Sequence, residues 1–125
     1  MGFNFADNLQ NVTENAPDWE DDPGCCEHTA WIVGGIVLSD DMNIAEVGDM
    51  FAAFNSSGDV RGVAVQLSPP FGPYQGQFVY EMTMRSNEPG EELTFKYYDA
   101  SEDAVLDIAE TYTFVINEQL GDMFD

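Results

Sequence analysis

Basic residues are almost missing from this chain: three, Arg61, Arg85 and Lys96, stand against 24 Asp and Glu, for a formal net charge of −21 over 125 residues. Such a surface repels phosphate backbones, which sets nucleic acid aside as a partner, and disfavours anionic bilayers for the same reason. Long apolar runs are missing too, and none approaches the roughly 18 residues that a membrane-spanning helix needs. The start, Met1-Gly2-Phe3-Asn4-Phe5, has neither a basic cluster nor an apolar stretch and does not read as a signal peptide; a mature chain or an excised repeat would look alike.

Cysteine and histidine are scarce. Cys25 and Cys26 are adjacent, and neighbours on an extended backbone point to opposite faces. Pairing them together needs a strained ring, whereas pairing each with another chain does not. An intersubunit disulfide and a pair of buried or idle thiols are the two readings. His28 stands alone, cannot complete a zinc site within the chain, and reads as a surface or packing residue. No Gly-x-Ser-x-Gly elbow occurs and no two carboxylates are singled out from the rest, so the expectation is a protein that is not an enzyme.

What is present is material for a core. Forty-four per cent of residues are hydrophobic, with nine Phe, five Tyr and two Trp, enough to offset the entropy of ordering and to exclude the disordered class. The length suits one domain. Charge of this size speaks first to solubility, and leaves divalent cations and basic groups in play as partners.

Residues 1–24 differ from the rest. Phe3 and Phe5 alternate with polar positions, and an acidic, proline-bearing stretch runs from Asn15 to Gly24. The reading is an extended arm and linker over 1–24 and a folded module over 25–125. Within the module Trp31 to Leu38 is a β-branched run interrupted by Gly34-Gly35, a bulge signal. Strand-like segments follow at Asp49 to Phe54, Val60 to Leu67, Gln77 to Arg85, Glu92 to Tyr98, Ala104 to Ile108 and Thr111 to Ile116. Turn residues divide them at Asn55 to Asp59, Ser68 to Pro73 and Asn87 to Gly90. Phe78, Tyr80, Met82 and Met84 alternate, as do Leu93, Phe95 and Tyr97, so one face of each is buried. The pattern predicts an all-β fold, a single antiparallel β-sandwich of about seven to eight strands with an extended N-terminal arm, and a helical turn at most over Met42 to Val47.

Three stretches of this module, Gly48-Asp49-Met50-Phe51-Ala52-Ala53-Phe54, Arg61-Gly62-Val63-Ala64 and Phe95-Lys96-Tyr97-Tyr98-Asp99-Ala100-Ser101, resemble repeated extracellular modules of unknown function. The resemblance covers most of residues 25–122, including the Ser86-Asn87 turn and the closing Thr111-to-Val115 strand. It implies secretion, tandem copies in large surface proteins of bacteria and of algal or other microbial eukaryotes, and no catalytic residues. It extends to chains that build extracellular fibres. Bacterial versions often carry Cys where Val60 stands, so a disulfide expected from them is absent here.

Several positions could carry binding chemistry. Asp99, Ser101, Asp103, Asp107 and Glu110 occupy positions 1, 3, 5, 9 and 12 of a calcium-loop spacing. Against it, Ala104 stands where the loop wants Gly and both flanks read as strands. No cofactor is required, and calcium is the one candidate. Two sequons, Asn11-Val12-Thr13 and Asn55-Ser56-Ser57, fall on the arm and on a hairpin tip, where glycans fit a secreted surface. Trp31, Phe95 and Tyr97 read as core. Phe71 and Tyr74 lie in the proline-rich loop and could meet sugars or a neighbouring chain, and Trp19 reads as an anchor for the arm.

Two functions fit these features. One is a structural subunit whose arm, with Phe3, Phe5 and Leu9 as alternate anchors, adds to the sheet of the next copy, making a homopolymer. The other is a secreted carbohydrate-binding or adhesion module that uses the Pro69-to-Tyr74 loop and calcium. The first accounts for the arm and the cysteines. Both place the chain outside the cell or on its surface.

Overall fold

The computed structural model describes residues 2–6, 17–39, 42–69 and 75–121. Ten strands form among them: β1 (Gly2–Asn4), β2 (His28–Ser39), β3 (Met42–Asn43), β4 (Met50–Phe54), β5 (Val60–Val63), β6 (Val65–Leu67), β7 (Val79–Ser86), β8 (Glu92–Asp99), β9 (Ala104–Thr113) and β10 (Gln119–Leu120). They make two packed sheets, one ordered β1-β2-β7-β6 with β3 and β10 also on β2, the other β5-β4-β8-β9. The chain is an all-β sandwich, as its alternating patterns predict.

The strand count exceeds seven to eight for identifiable reasons. Val60 to Leu67 divides at Ala64, so that β5 pairs with β4 in one sheet and β6 with β7 in the other. Gly62 makes that crossing possible, because a Cβ there would stand 2.6 Å from the Thr83 carbonyl oxygen. The two segments expected over Ala104 to Ile116 fuse into β9, whose register shifts against β8 between Thr94 and Lys96. Short β1, β3 and β10 add the rest.

No helical turn forms over Met42 to Val47. Met42 and Asn43 instead fold back antiparallel on Ser39 and Leu38. The Asn43 side chain fixes this corner, its oxygen accepting from Ala45 N at 3.1 Å and its amide donating to the Phe78 carbonyl at 2.9 Å. The Gly34-Gly35 bulge forms as expected, with the β2–β7 register shifting between Ile32 and Gly35 and Gly34 at φ +67°.

The space between the sheets is filled by Phe51, Phe95, Tyr80, Tyr97, Met82, Met84, Leu93, Ile32 and Phe114, all buried. Phe3, from the arm, belongs to the same cluster. Trp31 does not: it is half-buried on the opposite face of β2 from Ala30 and Ile32, a correction to its expected core role.

Candidate functional site

The arm is seated on the seam between the two sheets. Strand β2 is long enough for two strands to share one of its edges. Gln119 and Leu120 run parallel to it beside Trp31 and Ile32, and Gly2, Phe3 and Asn4 run parallel beside Ile36, Val37 and Leu38. From β2 the arm crosses to the other sheet. Phe5 bridges Ile108 of β9, and Ala6 N donates to the Asp107 carbonyl at 2.8 Å.

Burial selects Phe3. Its ring meets Phe51 and Phe95 edge-on, at centroid distances of 4.9 and 5.2 Å. Gly35 borders the ring: a Cβ there would touch Phe3 at 3.4 Å, an ordinary contact, and crowd Ile32 at 3.0 Å. Full burial of such a side chain is worth about 1.5–3 kcal/mol, and each edge-on ring pair adds about 0.5–1.5 kcal/mol. Asn4 faces the other way and is gripped by Glu110, whose two carboxylate oxygens accept from Asn4 N at 2.7 Å and Asn4 Nδ2 at 2.8 Å. The Phe5 ring lies 5.8 Å from that of Tyr97.

Beneath Phe5 is a buried polar chain. Asp49 accepts from the Tyr97 hydroxyl at 2.6 Å and from Ala100 N at 2.8 Å, Tyr97 and Tyr80 share a hydroxyl contact at 2.9 Å, and Gln66 donates to Tyr80 at 3.0 Å. Burial raises the Tyr97 hydroxyl well above the usual phenol range, and the bond to Asp49 raises it further. Burial raises Tyr80 as well.

The linker is held by different means. Trp19 packs edge-on against Phe54 at 5.4 Å. Asp21 takes the Arg85 guanidinium at two points, 3.1 and 2.9 Å, and this bond raises the arginine above its ordinary value. Cys25 and Cys26 are joined to each other. Neither reading from the sequence, a link between subunits or a pair of buried or idle thiols, describes this pair: the bond closes between the two neighbours within one chain. Arg61 Nη1 lies 3.2 Å from Cys26 Sγ, and Asn87 accepts from Glu27 N at 3.0 Å. His28 lies 3.8 Å from Glu27, its ion-pair partner among the described residues.

The remaining candidates fall in several places. Asp99 is bonded to Ser101 in the β8–β9 turn, Asp103 accepts from the Tyr98 hydroxyl, Asp107 pairs with Lys96 at 2.8 Å, and Glu110 holds Asn4. The twelve-residue spacing thus folds as a hairpin with two of its acids on strand β9. Among the described residues no three His, Cys, Asp or Glu side chains form a group able to hold a metal ion. Asn55 is 8% exposed. Its oxygen accepts from Ser57 N at 3.1 Å and Asp59 N at 2.8 Å, while its nitrogen, the atom a glycan would need, donates to Asp59. Leu9, Asn11, Phe71 and Tyr74 lie outside the described residues.

Sequence reasoning missed Gly35 at the border of the Phe3 seat and Glu110 as the clamp. The paired glycines signalled a bulge, and the carboxylate was absorbed into a cation spacing. Among protein-family models, curated proteins and solved structures, none matches this chain.

Proposed function

We propose that this chain is a structural subunit of an extracellular fibre or surface assembly, joined head to tail when the N-terminal arm of one copy adds to the sandwich of the next. The observation that carries the reading is the seat of Phe3: a three-residue strand, separated in sequence from the rest of the body, supplies a fully buried ring to the core. The same contacts are available whether the arm comes from its own chain or a neighbour's, which is the condition for a strand swap. Main-chain bonds and the Phe3 ring supply affinity.

Residues 7–16 lie between the seated arm and Pro17. Eleven Cα steps of about 3.8 Å reach roughly 40 Å when extended, sufficient to bridge to an adjacent small domain. Self-closure competes with swapping at an effective concentration of about millimolar for a connection of this length, so dilute protein is monomeric and crowding at a surface favours the polymer. Like-charge repulsion acts over about 8–10 Å at ordinary salt, so added salt strengthens assembly.

Light scattering and negative-stain imaging of concentrated protein test the reading. The full chain should form filaments, removal of residues 1–14 should abolish them, and a synthetic peptide of residues 1–14 should bind the truncated body as a monomer. Filaments that persist without the arm, or a full chain that stays monomeric up to millimolar concentration, would overturn it.

A further inference from the structure

A bond between adjacent cysteines closes a loop with no residue inside it, so it removes little entropy from the unfolded chain and has little to offer as a structural staple. Its surroundings point to chemistry instead. Arg61, on β5, places Nη1 3.2 Å from Cys26 Sγ. The same guanidinium is short of hydrogen bonds: its Nε is buried with no hydrogen-bond partner among the described residues, and Glu91 Oε1, its ion-pair partner at 3.6 Å, lies beyond hydrogen-bond reach and accepts from Ser86 Oγ at 2.7 Å. A disulfide sulfur is only a weak acceptor for this cation, whereas a thiolate would give it a full counter-charge.

We propose that Cys25–Cys26 is a thiol–disulfide exchange site in which Arg61 holds Cys26 as the leaving thiolate. A dithiol reductant attacks Cys25 Sγ as its thiolate, forming a mixed disulfide and expelling Cys26 as a thiolate beside Arg61. The second thiol of the reductant then closes on the first and releases Cys25 as a thiol. Two electrons pass to the protein, the reductant becomes its own cyclic disulfide, and one proton is released to solvent because Cys26 stays ionised. Arg61 favours this direction by lowering the thiol's affinity for its proton, and a better leaving group departs faster.

Asp21 and Asp22 precede the pair on its own segment, and the Asp22 carbonyl accepts from Cys25 N at 3.1 Å. Arg61 faces the pair from β5, Glu91 stands behind Arg61 from the turn after β7, and Glu27 and His28 follow on its own segment. Arg85 is occupied by Asp21. Arg61 is therefore the cation able to offset the acidic surroundings at this sulfur. The inference is independent of the assembly reading, since it concerns one chain.

Full-length protein reduced with dithiothreitol, then pulsed with iodoacetamide at pH 6 and mapped by peptide fragmentation, tests it. Two thiols should appear per chain, with Cys26 alkylated about tenfold faster than Cys25, as expected for a thiolate held by a guanidinium. Arg61→Met should bring the two rates together, Arg61→Lys should keep part of the difference, and Glu91→Gln should raise the Cys26 rate by freeing the guanidinium. Circular dichroism establishes that each variant is folded. If Arg61→Met does not fold, the wild-type ratio and the Glu91→Gln rate decide. Equal wild-type rates overturn the proposal, as does a folded Arg61→Met that keeps the preference or a Glu91→Gln that lowers it.

Discussion

The arm and the linker are neighbours in sequence and opposites in how they are held. Residues 2–6 attach through a buried ring, main-chain bonds and one amide–carboxylate grip. Residues 17–27 attach through an edge-on ring contact, an arginine–aspartate pair and a guanidinium against sulfur. Apolar burial is insensitive to salt, whereas exposed charge pairs weaken as salt screens them. In a chain of −21, a segment held by apolar burial does not depend on charge, most of which is of the same sign. The difference suits an arm that stays seated while its tether loosens.

The strongest test of that contrast is Phe3→Ala, which should destabilise the self-closed chain by about 3–5 kcal/mol, as large aromatic truncations in cores do. Urea unfolding would measure it, and a loss under 1 kcal/mol would remove the basis for treating the arm as an anchor. Alkali should act next, on the polar chain beneath Phe5. The folded-state values of Tyr97 and Tyr80 lie above their unfolded value, so the stability they contribute is complete below about pH 10 and declines as pH rises beyond it. Unfolding midpoints from pH 8 to 11.5 should be flat and then fall; a rise above pH 10 would contradict the burial of these hydroxyls.

Asn55→Ala, in the turn between β4 and β5, should cost about 1–3 kcal/mol by leaving the Asp59 amide unmet. It should leave the salt response of the arm unchanged, and peptide mapping of native material should find Asn55 without a glycan. The smallest effect belongs to the linker: Asp21→Ala should cost at most about 1 kcal/mol, vanishing in high salt. Hydrogen exchange sharpens the whole comparison. Raising salt to 1 M should speed exchange over residues 19–27 and leave residues 3–6 unchanged, and equal responses would dissolve the distinction.

The sheets were legible because alternation such as Tyr80-Met82-Met84 is a local signal with a single physical meaning. The bulge at Gly34-Gly35 was legible for the same reason. What was not legible depends on packing between distant parts. That Val60 to Leu67 changes sheets at Ala64 follows from how closely Gly62 approaches Thr83, which no pattern in the strand itself announces. The cysteine pairing was misread because an extended backbone was assumed at a turn-rich stretch. Trp31 was misread because both faces of β2 are apolar, so alternation there does not say which side faces inward. Glu110 was noticed, but its partner lies 106 residues away.

Phe3 and Phe5 are two residues apart, and a strand repeats its facing every two residues, about 6.6 Å. An arm displaced by one such step would offer Phe5 to the Phe3 seat and keep its pleat in phase, so hydrophobic matching alone leaves the register of the arm ambiguous by that length. The grip of Glu110 on Asn4 removes the ambiguity. After the slip Ala6 would stand in Asn4's place with no side-chain donor, leaving that carboxylate half-answered. One polar contact thus acts as the detent that holds the arm in a single register.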